Sequence, residues 1–95
     1  MITLKTAEEI EKMRAAGQVV AAALVEIAAA VAPGRTTLEL DAIGESVVRR
    51  HGAIPSFKGY KGYPSATCQA VNEEVVHGIP GNRVLRAGDI VGIDI

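Results

Sequence analysis

The stretch Asn72–Asp94, NEEVVHGIPGNRVLRAGDIVGID, decides how this chain is read. It sets His77 in a turn rich in Gly and Pro, and Asp94 on an apolar segment near Ile95. Ile90, Val91, Ile93 and Ile95 are β-branched, so the segment reads as a strand rather than a helical turn. Side chains alternate faces along a strand. Val91, Ile93 and Ile95 therefore share one face, expected to meet a helical layer, and Ile90, Gly92 and Asp94 share the other. A carboxylate set between isoleucines needs a partner or a metal if it is buried, and Gly92 leaves open space beside it. The simpler reading is an aspartate that caps the next turn or meets solvent. In the turn, Pro80 fixes one backbone angle and Gly81 permits a left-handed one, so the His77 imidazole is expected on a constrained loop. An imidazole titrates near neutrality and suits proton handling; taken alone, a turn histidine satisfied by backbone explains it as well.

The 95 residues have room for one small domain. With 10 basic and 11 acidic side chains the net charge is −1. No basic stripe appears, which argues against nucleic acid and anionic membranes as partners. Cys68 is the one cysteine, which rules out an internal disulfide framework and fits a reducing compartment. Met1-Ile2-Thr3-Leu4 leads straight into a charged helix start, with no signal-peptide pattern. The apolar run from Val19 to Ala32 carries Glu26 and falls short of the about 20 apolar residues that a bilayer requires. A soluble, cytoplasmic protein is expected.

From the start of the chain, Thr6 with Glu9 has the spacing of a capping box, and the helix it opens is expected to run to about Val31. Ile10, Met13, Gly17, Val20, Leu24, Ile27 and Val31 recur every three or four residues as one apolar stripe, with Gly17 as a gap for a close neighbour. A coiled coil would need an e/g charge pattern that is missing, so packing on a sheet is the expectation. Pro33-Gly34 stops the helix. Thr36 and Glu39 repeat the capping box, and Leu40, Ile43, Val47 and Val48 form the buried side of a second helix. Arg49, Arg50 and His51 occupy its last turn and Gly52 ends it, which makes His51 a helix-end residue rather than a ligand.

Phe57, Tyr60 and Tyr63, all the aromatics of the chain, fall in the Gly- and Pro-rich loop AIPSFKGYKGYP, 53–64. Clustered rings in such a loop wall a small apolar pocket or pin the loop to the sheet; spacing does not choose between them. Ser65–Val71 reads as a strand with Ala66, Cys68 and Ala70 on one face. Arg83–Gly88 reads as a polar link.

The run GYKGYPSATCQAVNEEVVHGIPG followed by LRAGDIVGIDI, with the opening KTAEEIEKMRAAGQVVAAAL and the helix start PGRTTLELDAI, resembles the type I methionine aminopeptidases across the whole chain. The resemblance implies an α+β architecture, the N-terminal half of a pita-bread fold, with two helices on a curved, mostly antiparallel sheet. It implies removal of the initiator methionine from nascent chains by two divalent ions (Co, Mn, Fe or Zn) held by two Asp, one His and two Glu. Asp94 matches the first of those aspartates. His77 matches a catalytic histidine that contacts substrate near the scissile bond without binding metal. Phe57, Tyr60, Tyr63 and Cys68 match positions around the methionine side-chain pocket, and Asn72 a residue near a monovalent-cation site. Gly92 departs from the Asn or Ser more frequent in the family. The implied partners are N-terminal methionyl peptides and nascent chains, near the ribosome, for a monomeric parent protein.

That resemblance agrees with the chemistry. A metal lowers the pKa of a bound water and polarises a carbonyl; carboxylates suit borderline-hard divalent ions; a thioether wants an apolar, ring-lined pocket. Only Asp94 of the five implied ligands is present. Residues 1–95 are thus expected to be a single partial domain, broken within a strand, inactive alone and prone to associate through its open edge. Two other readings remain: a peptide-binding module that uses the same fold without metal, and thiol chemistry by Cys68 with His77, for which nothing suggests a lowered thiol pKa.

Overall fold

The computed structural model describes residues 2–74 and 78–95. Two helices, α1 (Ala7–Ala30) and α2 (Thr37–Arg50), precede a short 3-10 turn (Tyr60–Gly62) and two strands, β1 (Cys68–Val71) and β2 (Val91–Asp94). The strands pair antiparallel with Cys68 opposite Asp94, Gln69 opposite Ile93, Ala70 opposite Gly92 and Val71 opposite Val91. Both helices lie against one face of this ribbon, giving the α+β arrangement expected.

Local chemistry starts each helix where the sequence indicates. Thr6 accepts from the Glu9 amide at 3.1 Å while Glu9 accepts from the Thr6 amide at 2.8 Å. Thr36 and Glu39 repeat the exchange at 3.1 and 3.2 Å. Caps of this kind contribute about 1 kcal/mol each by satisfying amides that have no partner within the helix. Past α2, Gly52 takes a φ of 73°, and the His51 ring nitrogen Nδ1 lies 2.9 Å from the Val47 carbonyl, so His51 is a helix-end residue.

The core is one layer between helices and ribbon. Ile27, Leu40, Val71 and Leu85 are buried together, with Ile43, Val91, Ile93 and Ile95 packed on them. Ala23, Val47 and Val48 extend it along the helix pair. The inward set Val91, Ile93, Ile95 is the one that strand alternation predicts.

Several expectations need correction. The stripe along α1 does not stay buried: Ile10 and Met13 are exposed, Leu24 is at the margin, and the helix packs through Val19, Ala22, Ala23, Ile27 and Ala30. The reason is the close approach of α2, which admits alanine at the crossing and covers only the C-terminal half of α1. Nor is Gly17 the gap, since nothing lies within 4 Å of a Cβ built there. The close approach is at Gly44 of α2, where a Cβ would sit 2.9 Å from Ile27 Cδ1 and 3.3 Å from Ile95 Cδ1. The polar link 83–88 carries a core residue, Leu85, whose amide donates to Arg35 O and whose carbonyl accepts from Gly34 N, both at 2.8 Å. The first strand begins at Cys68 rather than Ser65, because Ser65–Thr67 form a buried bend tied to α2. Gly81 is not left-handed; its amide donates to Thr37 Oγ1 at 2.8 Å and its carbonyl accepts from Leu38 N at 3.0 Å.

By length and composition α1, with 24 residues, could cross a membrane, which the shorter run 19–32 did not suggest. It carries Arg14 and Glu26, however, and Glu26 pairs with Arg50 of α2 at 2.5 Å. Its buried Ala23 and Ile27 face protein, which makes it a packing helix.

Candidate functional site

The face of the ribbon away from the helices carries Cys68, Ala70, Gly92 and Asp94. Because Cys68 and Asp94 are register partners, their side chains leave the same side of the sheet as nearest cross-strand neighbours. The loop before β1 folds over this end of the ribbon. Its path needs left-handed backbone at Gly59 (φ 85°), Lys61 (φ 49°) and Gly62 (φ 79°), a conformation that glycine adopts without steric cost. The turn closes with Gly59 N donating to Tyr63 O at 2.7 Å and Tyr60 N to Phe57 O at 3.0 Å.

These elements border an open, mostly apolar cavity of about 470 Å³ lined by Phe57, Tyr60, Tyr63, Cys68, Ile79 and Asp94 together with Lys61, Gly62 and Pro64. The Phe57 and Tyr63 rings meet edge to face, centroids 6.2 Å apart at 73°. The Lys61 ammonium lies 5.5 Å from the Tyr60 ring centre, a cation–π contact. Tyr63 is locked: its hydroxyl donates to Thr67 O at 2.7 Å. Burial pushes the Tyr63 phenol well above its ordinary range, and the neighbouring Cys68 and Asp41 push the same way, so it stays a neutral donor. The alternative that the rings only pin the loop is therefore set aside: they do pin it, and they wall a cavity while doing so.

Asp94 is exposed to this cavity and makes no ion pair among the described residues. His77 lies outside the described residues. Asn72, at φ 54°, spans the ribbon's other end: its Nδ2 donates to Asp89 at 2.9 Å and its Oδ1 accepts from Ile90 N at 2.9 Å. It lines a separate polar hollow of about 500 Å³ with Arg83, Val84, Arg86 and Asp89. The structure thus brings together Phe57, Tyr60, Tyr63, Cys68 and Asp94, and leaves Asn72 apart from them.

One residue of consequence has no local mark in the sequence. Asp41 of α2 is 6% exposed. Its Oδ1 accepts from Thr67 N at 2.7 Å and Thr67 Oγ1 at 2.6 Å, and its Oδ2 from Ala66 N at 3.5 Å. Gln69, 2% exposed, extends the network, its Nε2 donating to Thr67 Oγ1 at 3.0 Å and Thr37 O at 2.9 Å. The available signal is the helical spacing of Thr37, Asp41 and Gly44, a small and polar stripe beside the apolar one.

Asp94 suits a divalent cation in kind, as an exposed strand carboxylate with no ion pair among the described residues. Among the described residues no group of three or more His, Cys, Asp or Glu side chains could hold an ion, so Asp94 fits as one ligand of a set and not as a site.

Residues 11–95 match the sequence model of Metallopeptidase family M24. The chain belongs to this family. Members are metallopeptidases, and divalent metal belongs to the chemistry of a complete M24 enzyme. Among similar M24 proteins, methionine aminopeptidase 1 of Bacillus subtilis is 53% identical over 95 residues, spanning 100% of this chain and 38% of that protein. Methionine aminopeptidase 1 of Mycobacterium tuberculosis is 54% identical over 99% of this chain and 36% of its own length. The crystal structure of the Thermotoga maritima methionine aminopeptidase superposes with a TM-score of 0.94 at 46% identity, covering 98% of this chain and 38% of that one. The Rickettsia prowazekii enzyme gives 0.93 at 41%. The architecture over these residues is that of the pita-bread aminopeptidases, and the chain spans little more than a third of the relatives it matches.

Proposed function

We propose that this chain serves the removal of the initiator methionine from nascent polypeptides, supplying the methionine pocket and the first metal-binding carboxylate of a methionine aminopeptidase. The observation that carries this reading is the single cavity shared by the Asp94 carboxylate and the Phe57, Tyr60, Tyr63 and Cys68 wall. Two divalent ions, Co, Mn, Fe or Zn, when bound by Asp94 and four further ligands, would supply an activated water and a polarised carbonyl.

The chain's own residues do the rest. The rings and the Cys68 sulfur receive a methionyl thioether, which is polarisable and favours aromatic edges. Burial of that side chain excludes water and orients the N-terminal residue beside Asp94. His77 would donate a hydrogen bond to the peptide at the scissile bond. Asn72 would sit near a monovalent cation. Methionyl peptides and nascent chains are the substrates, in the cytoplasm near the ribosome, and the working protein is a monomer.

Two assays decide the reading. The chain alone carries one of five implied ligands and should release no methionine from Met-Gly-Met-Met with manganese or cobalt. A chimera in which it replaces the matching 95 residues of the Bacillus subtilis methionine aminopeptidase 1 should release methionine in a chelator-sensitive way. An inactive but folded chimera sinks the proposal. Metal-independent binding of methionyl peptides by that inactive protein would move the reading to a recognition module.

A further inference from the structure

We infer that Asp41 is a positioning residue for the substrate pocket: it holds the Thr67 peptide, and through it Tyr63 and Cys68, in the geometry that receives the side chain of the N-terminal residue. The inference rests on the pocket reading above and deepens it.

Three observations lead there. Asp41 is a buried carboxylate that pairs with no cation among the described residues. Such a group is costly unless fully hydrogen-bonded, and every donor it has belongs to one short segment. Its partners are the Ala66 amide, the Thr67 amide and the Thr67 hydroxyl, all in the bend that leads into β1. On its other side the same Thr67 residue offers its carbonyl to the Tyr63 hydroxyl at 2.7 Å, and the next residue is Cys68. The line of contacts therefore runs from α2 through Asp41 and Thr67 to Tyr63 and Cys68, two walls of the cavity.

The alternative anchor is weak. Ser65–Thr67 precede β1 and have no strand partner. Without Asp41 the bend would keep only neutral ties, the Tyr63 hydroxyl to Thr67 O at 2.7 Å and Gln69 Nε2 to Thr67 Oγ1 at 3.0 Å. Its amides would lose the charged acceptor, and charge-assisted bonds are roughly twice as strong as neutral ones. A carboxylate also accepts from an amide and a hydroxyl at one oxygen while the other oxygen faces a second amide. The carboxamide of Asn cannot do the same, because one end would present N–H to the Ala66 N–H.

The test uses the chimera described above with Asp41→Asn and Asp41→Ala, and with Gly17→Ala as the control. Gly17 lies on α1 with nothing within 4 Å of a Cβ built there, so Gly17→Ala should match the parent in KM and kcat. Asp41→Ala should raise KM for methionyl peptides about tenfold while kcat changes about twofold or less, the pattern of lost substrate positioning. Asp41→Asn should fall between. A merely structural role would lower the active fraction, and thus apparent kcat, and leave KM alone. Amide exchange in the same proteins supplies a readout that needs no activity. Asp41→Ala should speed exchange at Ala66–Cys68 selectively, with Val47 and Val48 unchanged. Unaltered KM in an active chimera, or exchange that rises equally in α2 and in the bend, overturns the inference. Should the parent chimera prove inactive, the pocket reading falls by that result, and the exchange pattern alone decides whether Asp41 holds the bend.

Discussion

On one side of the β1–β2 ribbon, Gln69, Val71, Val91, Ile93 and Ile95 lie against α1 and α2; on the other are Cys68, Ala70, Gly92 and Asp94, of which Cys68 and Asp94 line an open cavity. Neighbouring residues one position apart serve the two sides. The helix side holds β-branched and aliphatic chains closed over by Ile27 and Leu40. The open side holds a thiol, two small residues and a carboxylate. Burial stabilises the fold through one face, so the other is free to carry a charge. Each prediction below tests whether that division holds.

The largest effect belongs to the closed face. Leu40 is fully buried among Ile27, Val71 and Leu85. Leu40→Ala should destabilise by about 2–5 kcal/mol, the transfer term plus the cavity left behind. Urea unfolding followed by circular dichroism measures it; a loss under about 1 kcal/mol would mean that the face is not closed.

Next in size are two glycine-to-alanine substitutions with opposite outcomes. Gly44→Ala puts a methyl 2.9 Å from Ile27 Cδ1 and 3.3 Å from Ile95 Cδ1. Ile27 is fully buried and has little room to yield, so overpacking should outweigh the gain in helix propensity, for a net loss of about 1 kcal/mol. Gly17→Ala meets nothing within 4 Å and should stabilise by about 0.5–1 kcal/mol. Equal signs in the two unfolding curves would remove Gly44 as the point of closest helix approach.

Smaller again is the response to acid, to which the two helix starts contribute alongside Glu45, Glu73 and Asp89, whose carboxyls are also held low by hydrogen bonds. Hydrogen bonds from the Thr6 and Thr36 backbones hold the Glu9 and Glu39 carboxyls below their ordinary value of 4.5. A carboxyl with a lowered folded-state pKa contributes stability that is present above 4.5 and lost as pH falls through the lowered value. Unfolding midpoints should therefore be flat on approach from neutral pH and decline below 4.5. Glu9→Gln together with Glu39→Gln should shallow that decline; an unchanged slope would place the acid response elsewhere.

What the sequence could disclose follows the range of each interaction. Both capping boxes are three-residue signals and stand where Thr6, Glu9, Thr36 and Glu39 indicate. Strand alternation alone separates Asp94 from Val91, Ile93 and Ile95. The opposition of Cys68 and Asp94 depends on strand register, a long-range property that neither segment discloses by itself. The burial of α1 was misplaced because a 3.6-residue stripe says which face is apolar, not how far a partner covers it. Ile10 and Met13 carry the pattern and find no cover. Asp41 was silent for the same reason, since its partners Ala66 and Thr67 lie 25 and 26 residues away.

The smallest effect on folding is expected at Asp94, and it is the sharpest test of the two-face division. The side chain is exposed, lies on the last residue of β2, and forms no ion pair among the described residues. Among the described residues, removing it takes away no paired charge. Asp94→Ala should therefore leave the urea midpoint within about 0.5 kcal/mol of the parent, as surface substitutions do. In the Bacillus chimera the same change should lower methionine release about a thousandfold or more, the scale of lost metal stabilisation of a developing charge. Metal binding by calorimetry should weaken in step. Leu40→Ala should do the converse, moving the midpoint while metal affinity of the folded fraction stays put. A substantial loss of stability in Asp94→Ala would show the carboxylate to be a strand anchor, and the open face would then be holding up the fold as well as carrying a charge.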